Sequence, residues 1–151
     1  MNIEFEISGL LDLIKEDISR LAGRSYSDDG SSLYDGIKVT SRDESVLLRM
    51  LEDRDGLLRE NIAFSLDPAA TESENTLVYN FIDGEVNGAF SSLKLLLRKY
   101  LVDGTLLDWY TRNGVVSSIT EESIEGLELR IVCLIRNGFV KKPLQPFGPR
   151  N

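Results

Sequence analysis

The 151-residue sequence contains no histidine, one cysteine and four prolines, and each scarcity removes a class of function. Without histidine, no side chain has an ordinary pKa near neutrality. The commonest general base, the usual nitrogen ligand for transition metals and every Ser-His or Cys-His dyad are excluded together. The single cysteine, Cys133, cannot close a disulfide within the chain. Its setting, Leu129-Arg130-Ile131-Val132-Cys133-Leu134-Ile135, predicts an inert core thiol in a reducing cytoplasm. No apolar run approaches the roughly 18 residues of a membrane span. The opening Met1-Asn2-Ile3-Glu4-Phe5-Glu6-Ile7 has acids where a secretion signal has bases, so neither export nor membrane insertion is expected.

The composition is 42% hydrophobic and 28% charged, which suits a single globular domain with its own core. Lys and Arg number 17 against 25 Asp and Glu, a net charge of −8. That sign opposes sequence-independent contact with a phosphate backbone, so direct nucleic-acid binding is not expected.

Apolar residues at Ile7, Leu10, Leu11, Ile14, Ile18 and Leu21 recur at three and four, the period of a helix with one buried face. Ser8 is the expected N-cap and Gly23 the residue that ends this helix. The polar, glycine-containing stretch 23–40 reads as a loop, with a brief extended piece at Ile37-Lys38-Val39-Thr40. A capping box at Ser41-Arg42-Asp43-Glu44 predicts the start of a second helix. Its apolar stripe is Leu47, Met50, Leu51, Leu58 and Ile62, and Asp67-Pro68 is the expected stop. The acids Glu52, Asp53, Asp55 and Glu60, interleaved with Arg49, Arg54 and Arg59, read as a solvated face. Gly56 within it costs about 1 kcal/mol relative to alanine.

The run Thr76-Leu77-Val78-Tyr79-Asn80-Phe81-Ile82 reads as a strand closing on the turn Asp83-Gly84. Either the alternating Ile3, Phe5 and Ile7 or the stretch near Val39 could pair with it. A third helix, about Gly88 to Thr111, is apolar over most of its circumference and belongs in the middle. Phe90, Leu93, Leu97, Tyr100, Leu101 and Leu107 form one stripe, and Leu95, Val102, Leu106 and Trp109 another. Gly104 within it marks a close approach of another helix, and Trp109 and Tyr110 read as core or interface anchors. Asn113-Gly114 ends this helix. A second capping box, Ser118-Ile119-Thr120-Glu121, opens a fourth, with Ile124, Leu127, Ile131 and Leu134 inward and Asn137-Gly138 as its end.

The fold expected is a mainly α four-helix bundle with a small β element, spanning 1–138. A basic tail, 139–151, follows. It holds three of the four prolines and no acid, which excludes helix, and carries +3 against −11 for the rest. Phe139, Leu144 and Phe147 are its apolar anchors and Lys141, Lys142 and Arg150 its charges, a composition suited to docking in extended form on a protein neighbour.

No motif specifies chemistry. Asp28-Asp29-Gly30 lacks the ligand alternation of a calcium loop. Asp83-Gly84-Glu85-Val86-Asn87-Gly88 lacks the lysine and spacing of a phosphate loop. Asp103 and Asp108 are a possible acid-base pair, with no nucleophile or oxyanion donor beside them. The expectation is a non-enzymatic protein with no cofactor and no metal.

The order of elements resembles small proteins from the virion-assembly regions of phages and prophages of Bacteroidetes. It comprises a capped first helix, an acidic second helix, a strand, and an apolar helix with Tyr100-Leu101-Val102 and Leu106-Leu107-Asp108-Trp109. The last helix then runs into a basic, proline-punctuated end. Lys141-Lys142-Pro143 and Arg150 stand where those proteins have an arginine-rich Arg-Pro tail. The resemblance implies a structural or assembly subunit of the head-to-tail connector or neck, homo-oligomeric, with itself and other virion proteins as partners, found in the host cytoplasm or the virion. The reading from a different class is a small acidic DNA mimic that inhibits a nucleic-acid enzyme. The arginines interleaved with the acids of the second helix count against it.

Overall fold

A computed structural model describes residues 2–24, 39–68, 73–82 and 90–140, with backbone alone for 22–24 and 138–140. Among the described residues the chain is a mainly α four-helix bundle with a two-stranded antiparallel sheet. The loop at Asp28-Asp29-Gly30, the Asp83–Gly88 turn and residues 141–151 of the tail lie outside the described residues.

Strand β1 (Asn2–Glu6) pairs with β2 (Thr76–Asn80), with Ile3 opposite Tyr79 and Phe5 opposite Leu77. The N-terminus is therefore the partner, because its alternation puts Ile3 and Phe5 on the face where Leu77 and Tyr79 are buried. Phe5 and Tyr79 meet edge to face, with ring centroids 6.2 Å apart. The chain passes directly from β1 into helix α1 (Ile7–Arg24), one residue before the expected Ser8 cap. The Ile7 amide donates to the Asn75 carbonyl at 3.0 Å, so the sheet serves one of the helix's orphan donors. The helix also continues through Gly23, which is not its end.

Helix α2 (Glu44–Asn61) follows a turn closed by Thr40 and Asp43 rather than the expected Ser41–Glu44 box, and its N-cap Asp43 makes no side-chain capping bond. The Asp43 carboxylate accepts from the Thr40 amide (3.1 Å) and hydroxyl (2.8 Å), which holds its pKa below the usual carboxylate value. α2 stops well before Asp67-Pro68. Ile62 is fully buried with φ −111° and ψ 14°, outside helical geometry, and a single 3-10 turn, Ala63–Ser65, follows. The Ser65 hydroxyl donates to the Ile62 carbonyl (2.7 Å), and Leu66 bridges to Phe81, so the chain leaves the helix to join the sheet. Demand from the core overrides the local stop signal.

Helix α3 (Phe90–Arg112) packs against α1, α2 and helix α4 (Glu121–Val140), which makes it the central element. Its end is a Schellman motif. Gly114 adopts φ 69°, the Val115 amide reaches the Tyr110 carbonyl at 2.9 Å, and the Gly114 amide reaches the Thr111 carbonyl at 3.2 Å. Not all of its apolar residues are interior: Leu95 is 54% exposed. α4 opens on Thr120 and Ser123, each side chain accepting from the other's amide at 3.1 Å, two residues beyond Ser118.

On α4 the inner face is Ile124, Leu127, Ile131 and Ile135, with Leu134 only half-buried. Cys133 is exposed, contrary to the core thiol expected, because it lies across the helix from Ile131 and Ile135. α4 runs through Asn137-Gly138 to Val140, so the bundle extends two residues past the expected boundary and Phe139 is helical. One core cluster joins the sheet to α2, α3 and α4. A second joins Ile14 and Ile18 of α1 to Leu47, Leu106, Trp109 and Tyr110. No described helix is long and apolar enough to cross a membrane.

Candidate functional site

Gly104 faces α2. A β-carbon there would lie 2.8 Å from Arg54 Cδ and 3.0 Å from its Nε, so only glycine leaves room for the arginine to cross α3. Arg54 is buried with its side chain 7% exposed, and it donates twice to Asp108, Nε to Oδ2 at 2.9 Å and Nη2 to Oδ1 at 2.7 Å. Two longer bonds of 3.4 Å reach Glu121 at the start of α4. One guanidinium thus ties three helices, and its pairing with Asp108 pushes its pKa above the ordinary arginine value.

A second network fastens the sheet to α2. Arg59 donates through Nε to both oxygens of Asp55 (2.9 and 3.0 Å) and through Nη2 to the Val78 carbonyl (2.9 Å), and it lies 4.3 Å over the Tyr79 ring. Tyr79 donates its hydroxyl to Asp55, and burial raises its pKa well above the ordinary value. The arginines and acids of α2 are therefore not simply a solvated face. Arg54 escaped that reading although Leu47, Leu51, Arg54 and Leu58 are spaced by four, three and four, the stripe of a buried helix face.

Among the described residues, the other side of α3 is open. Between it and α1 lies a groove of about 410 Å³ lined by Leu13, Leu95, Val102 and a ring of charged side chains. A neighbouring hollow of about 530 Å³ shares its Asp17, Arg20, Lys99 and Asp103 and reaches Tyr110 and Val116. Arg20 pairs with Glu16 at 2.9 Å, and Asp17 accepts from the Tyr110 hydroxyl at 2.9 Å. Burial and Asp17 push the pKa of the Tyr110 hydroxyl upward. Asp103 is half-buried, and burial raises its pKa, with Lys99 opposing and Asp17 adding to the shift.

Asp103 and Asp108 are thus not brought together: one lines the groove, while the other is held by Arg54 on the opposite flank. Trp109 and Tyr110 are both buried, in the cluster shared with α1. The side chains of Phe139, Lys141, Lys142, Leu144, Phe147 and Arg150 lie outside the described residues. Among the described residues no group of three or more His, Cys, Asp or Glu could hold a metal. No protein-family model, curated protein or solved structure matches the chain.

Proposed function

We propose that the chain is a non-enzymatic structural or assembly subunit that works as a homo-oligomer, of the head-to-tail connector or neck kind, in phage or prophage virion assembly. The virion setting rests on the resemblance in the order of elements and in the α3 sequence Tyr100-Leu101-Val102 and Leu106-Leu107-Asp108-Trp109. The observation that carries the structural role is how the buried polar groups are used. Arg54, Asp108, Arg59, Asp55 and Tyr79 join elements to one another, and no buried side-chain nitrogen or oxygen among the described residues lacks a partner. This is the economy of a rigid scaffold, with polar groups spent on fixing helices.

In this reading the tail reaches a neighbouring subunit or another virion protein. A segment of charge +3 is attracted to bodies that carry −11, and its prolines reduce the entropy lost on docking. The test is a chain ending at Val140, which leaves α4 whole and removes Leu144, Phe147 and every tail charge. Helical circular dichroism should be unchanged, while light scattering reports a smaller oligomer or binding to a virion partner is lost. An unchanged mass together with unchanged partner binding would leave the tail without a role. A strictly monomeric full-length chain that competes with DNA for an enzyme would replace the assembly reading with mimicry.

A further inference from the structure

We infer that the groove between α1 and α3 is a contact between two copies of this chain, related by a two-fold axis. The inference rests on the assembly reading and names the surface that reading leaves open. Two observations carry it. Leu13 and Leu95, 43% and 54% exposed, stand beside an apolar hollow that no described residue fills. The charges around them also cancel, in a chain that carries a net −8. Arg20 and Glu16 satisfy each other, which leaves Arg98 and Lys99 against Asp17 and Asp103.

A strongly acidic body repels its own copies over most of its surface. A balanced patch with an apolar centre is where that repulsion is absent and burial is gained. A two-fold contact must be self-complementary, so each copy presents both halves of every charge pair. An axis crossing α3 between Tyr100 and Leu101 sets Arg98 of each copy opposite Asp103 of the other, with the two α3 helices antiparallel. In that arrangement Leu95 of each copy is buried in the other's groove. A basic segment such as the tail has less reason to sit here, because the groove offers it no net negative charge.

The register makes the test specific. In the full-length chain, Arg98→Glu sets a new carboxylate against Asp103 at both symmetry-related contacts, and Asp103→Lys sets a new ammonium against Arg98 at both. Each variant alone should self-associate at least about tenfold more weakly in sedimentation equilibrium. An equimolar mixture should regain association, because each of its two contacts then joins opposite charges, a rescue that general destabilisation of either variant cannot produce. Leu95→Glu should weaken association to a similar degree with helical circular dichroism retained, since the side chain is exposed in the single copy. If both charge variants associate as tightly as the parent, or the mixture stays as weak as its components, the groove is not the contact, although an oligomeric parent would still support the assembly reading. A parent chain monomeric at every concentration would sink both.

Discussion

The two flanks of α3 treat charge in opposite ways. Toward α2, Gly104 lets Arg54 cross the helix and meet Asp108 and Glu121, so a cation enters the interior and is neutralised there. Toward α1, charged residues of both signs line a groove without closing it, and Asp103 is half-buried beside Asp17. The first flank joins elements of one molecule; the second is the surface proposed above to meet a second copy. On the closed flank the approach depends on side-chain volume at one helical position, since any β-carbon at 104 would lie within 3.1 Å of Arg54 Cδ, Nε and Cγ and force the arginine to shift.

The largest effect should come from breaking the closed flank. Asp108→Asn removes the charge and one of the two acceptor oxygens, so the buried guanidinium keeps a counter-charge only through its two long bonds to Glu121. The cost should be about 3 kcal/mol in urea unfolding, the low end for a broken buried pair because Asp108 is itself partly exposed. A double-mutant cycle with Arg54→Met should show strong coupling, whereas an uncoupled pair would mean that the cation does not depend on Asp108.

Gly104→Leu should follow, at roughly 1 to 3 kcal/mol from overpacking against Arg54. Gly56 sharpens the contrast, because a β-carbon there meets nothing within 4 Å. Gly56→Ala should therefore stabilise the protein by about 0.5 to 1 kcal/mol through helix propensity alone. If both substitutions shift the urea midpoint in the same direction, the close approach at Gly104 is wrong.

The smallest effect belongs to the open flank and depends on pH. Burial raises the Asp103 pKa in the folded chain, so ionising it opposes folding. Its contribution is fully present below the unfolded pKa and is lost as pH rises through the higher folded value. At protein concentrations too low for self-association, Asp103→Asn should consequently raise the thermal midpoint slightly at neutral pH, with the gain vanishing near pH ~3, where the acid is protonated in both states. An equal gain at both pH values would show that charge is not the cause.

Much of the bundle is legible in the sequence because helix formation and burial leave a local period. The stripes of α1 and α3, the alternation of Ile3 and Phe5 and the end at Gly114 each follow from residues close in the chain. Boundaries proved less legible. Ser8, Ser41, Asp67-Pro68, Ser118 and Asn137-Gly138 are sound local signals, yet each helix end lies one or more residues away: the Asn75 carbonyl serves Ile7, burial of Ile62 accompanies the end of α2, and neighbouring pairs at Thr40–Asp43 and Thr120–Ser123 stand before α2 and α4. Cys133 sits in an apolar run and is still exposed, since the faces of a helix are set by angle and not by the average character of a segment.

What the sequence by itself determined is the class of the protein: helical, acidic, without histidine chemistry, with one strand awaiting a partner and one basic end. Only the tertiary structure decided which charges are interior. Arg54 and Arg59 look alike in sequence, spaced among acids on one helix. One is buried against Gly104 and the other clamps Asp55 beneath Tyr79, because α3 and the sheet meet α2 at different places along its length. An ion pair between residues far apart in the chain leaves no local period, so its energy becomes visible only when the helices that carry its two halves are packed together.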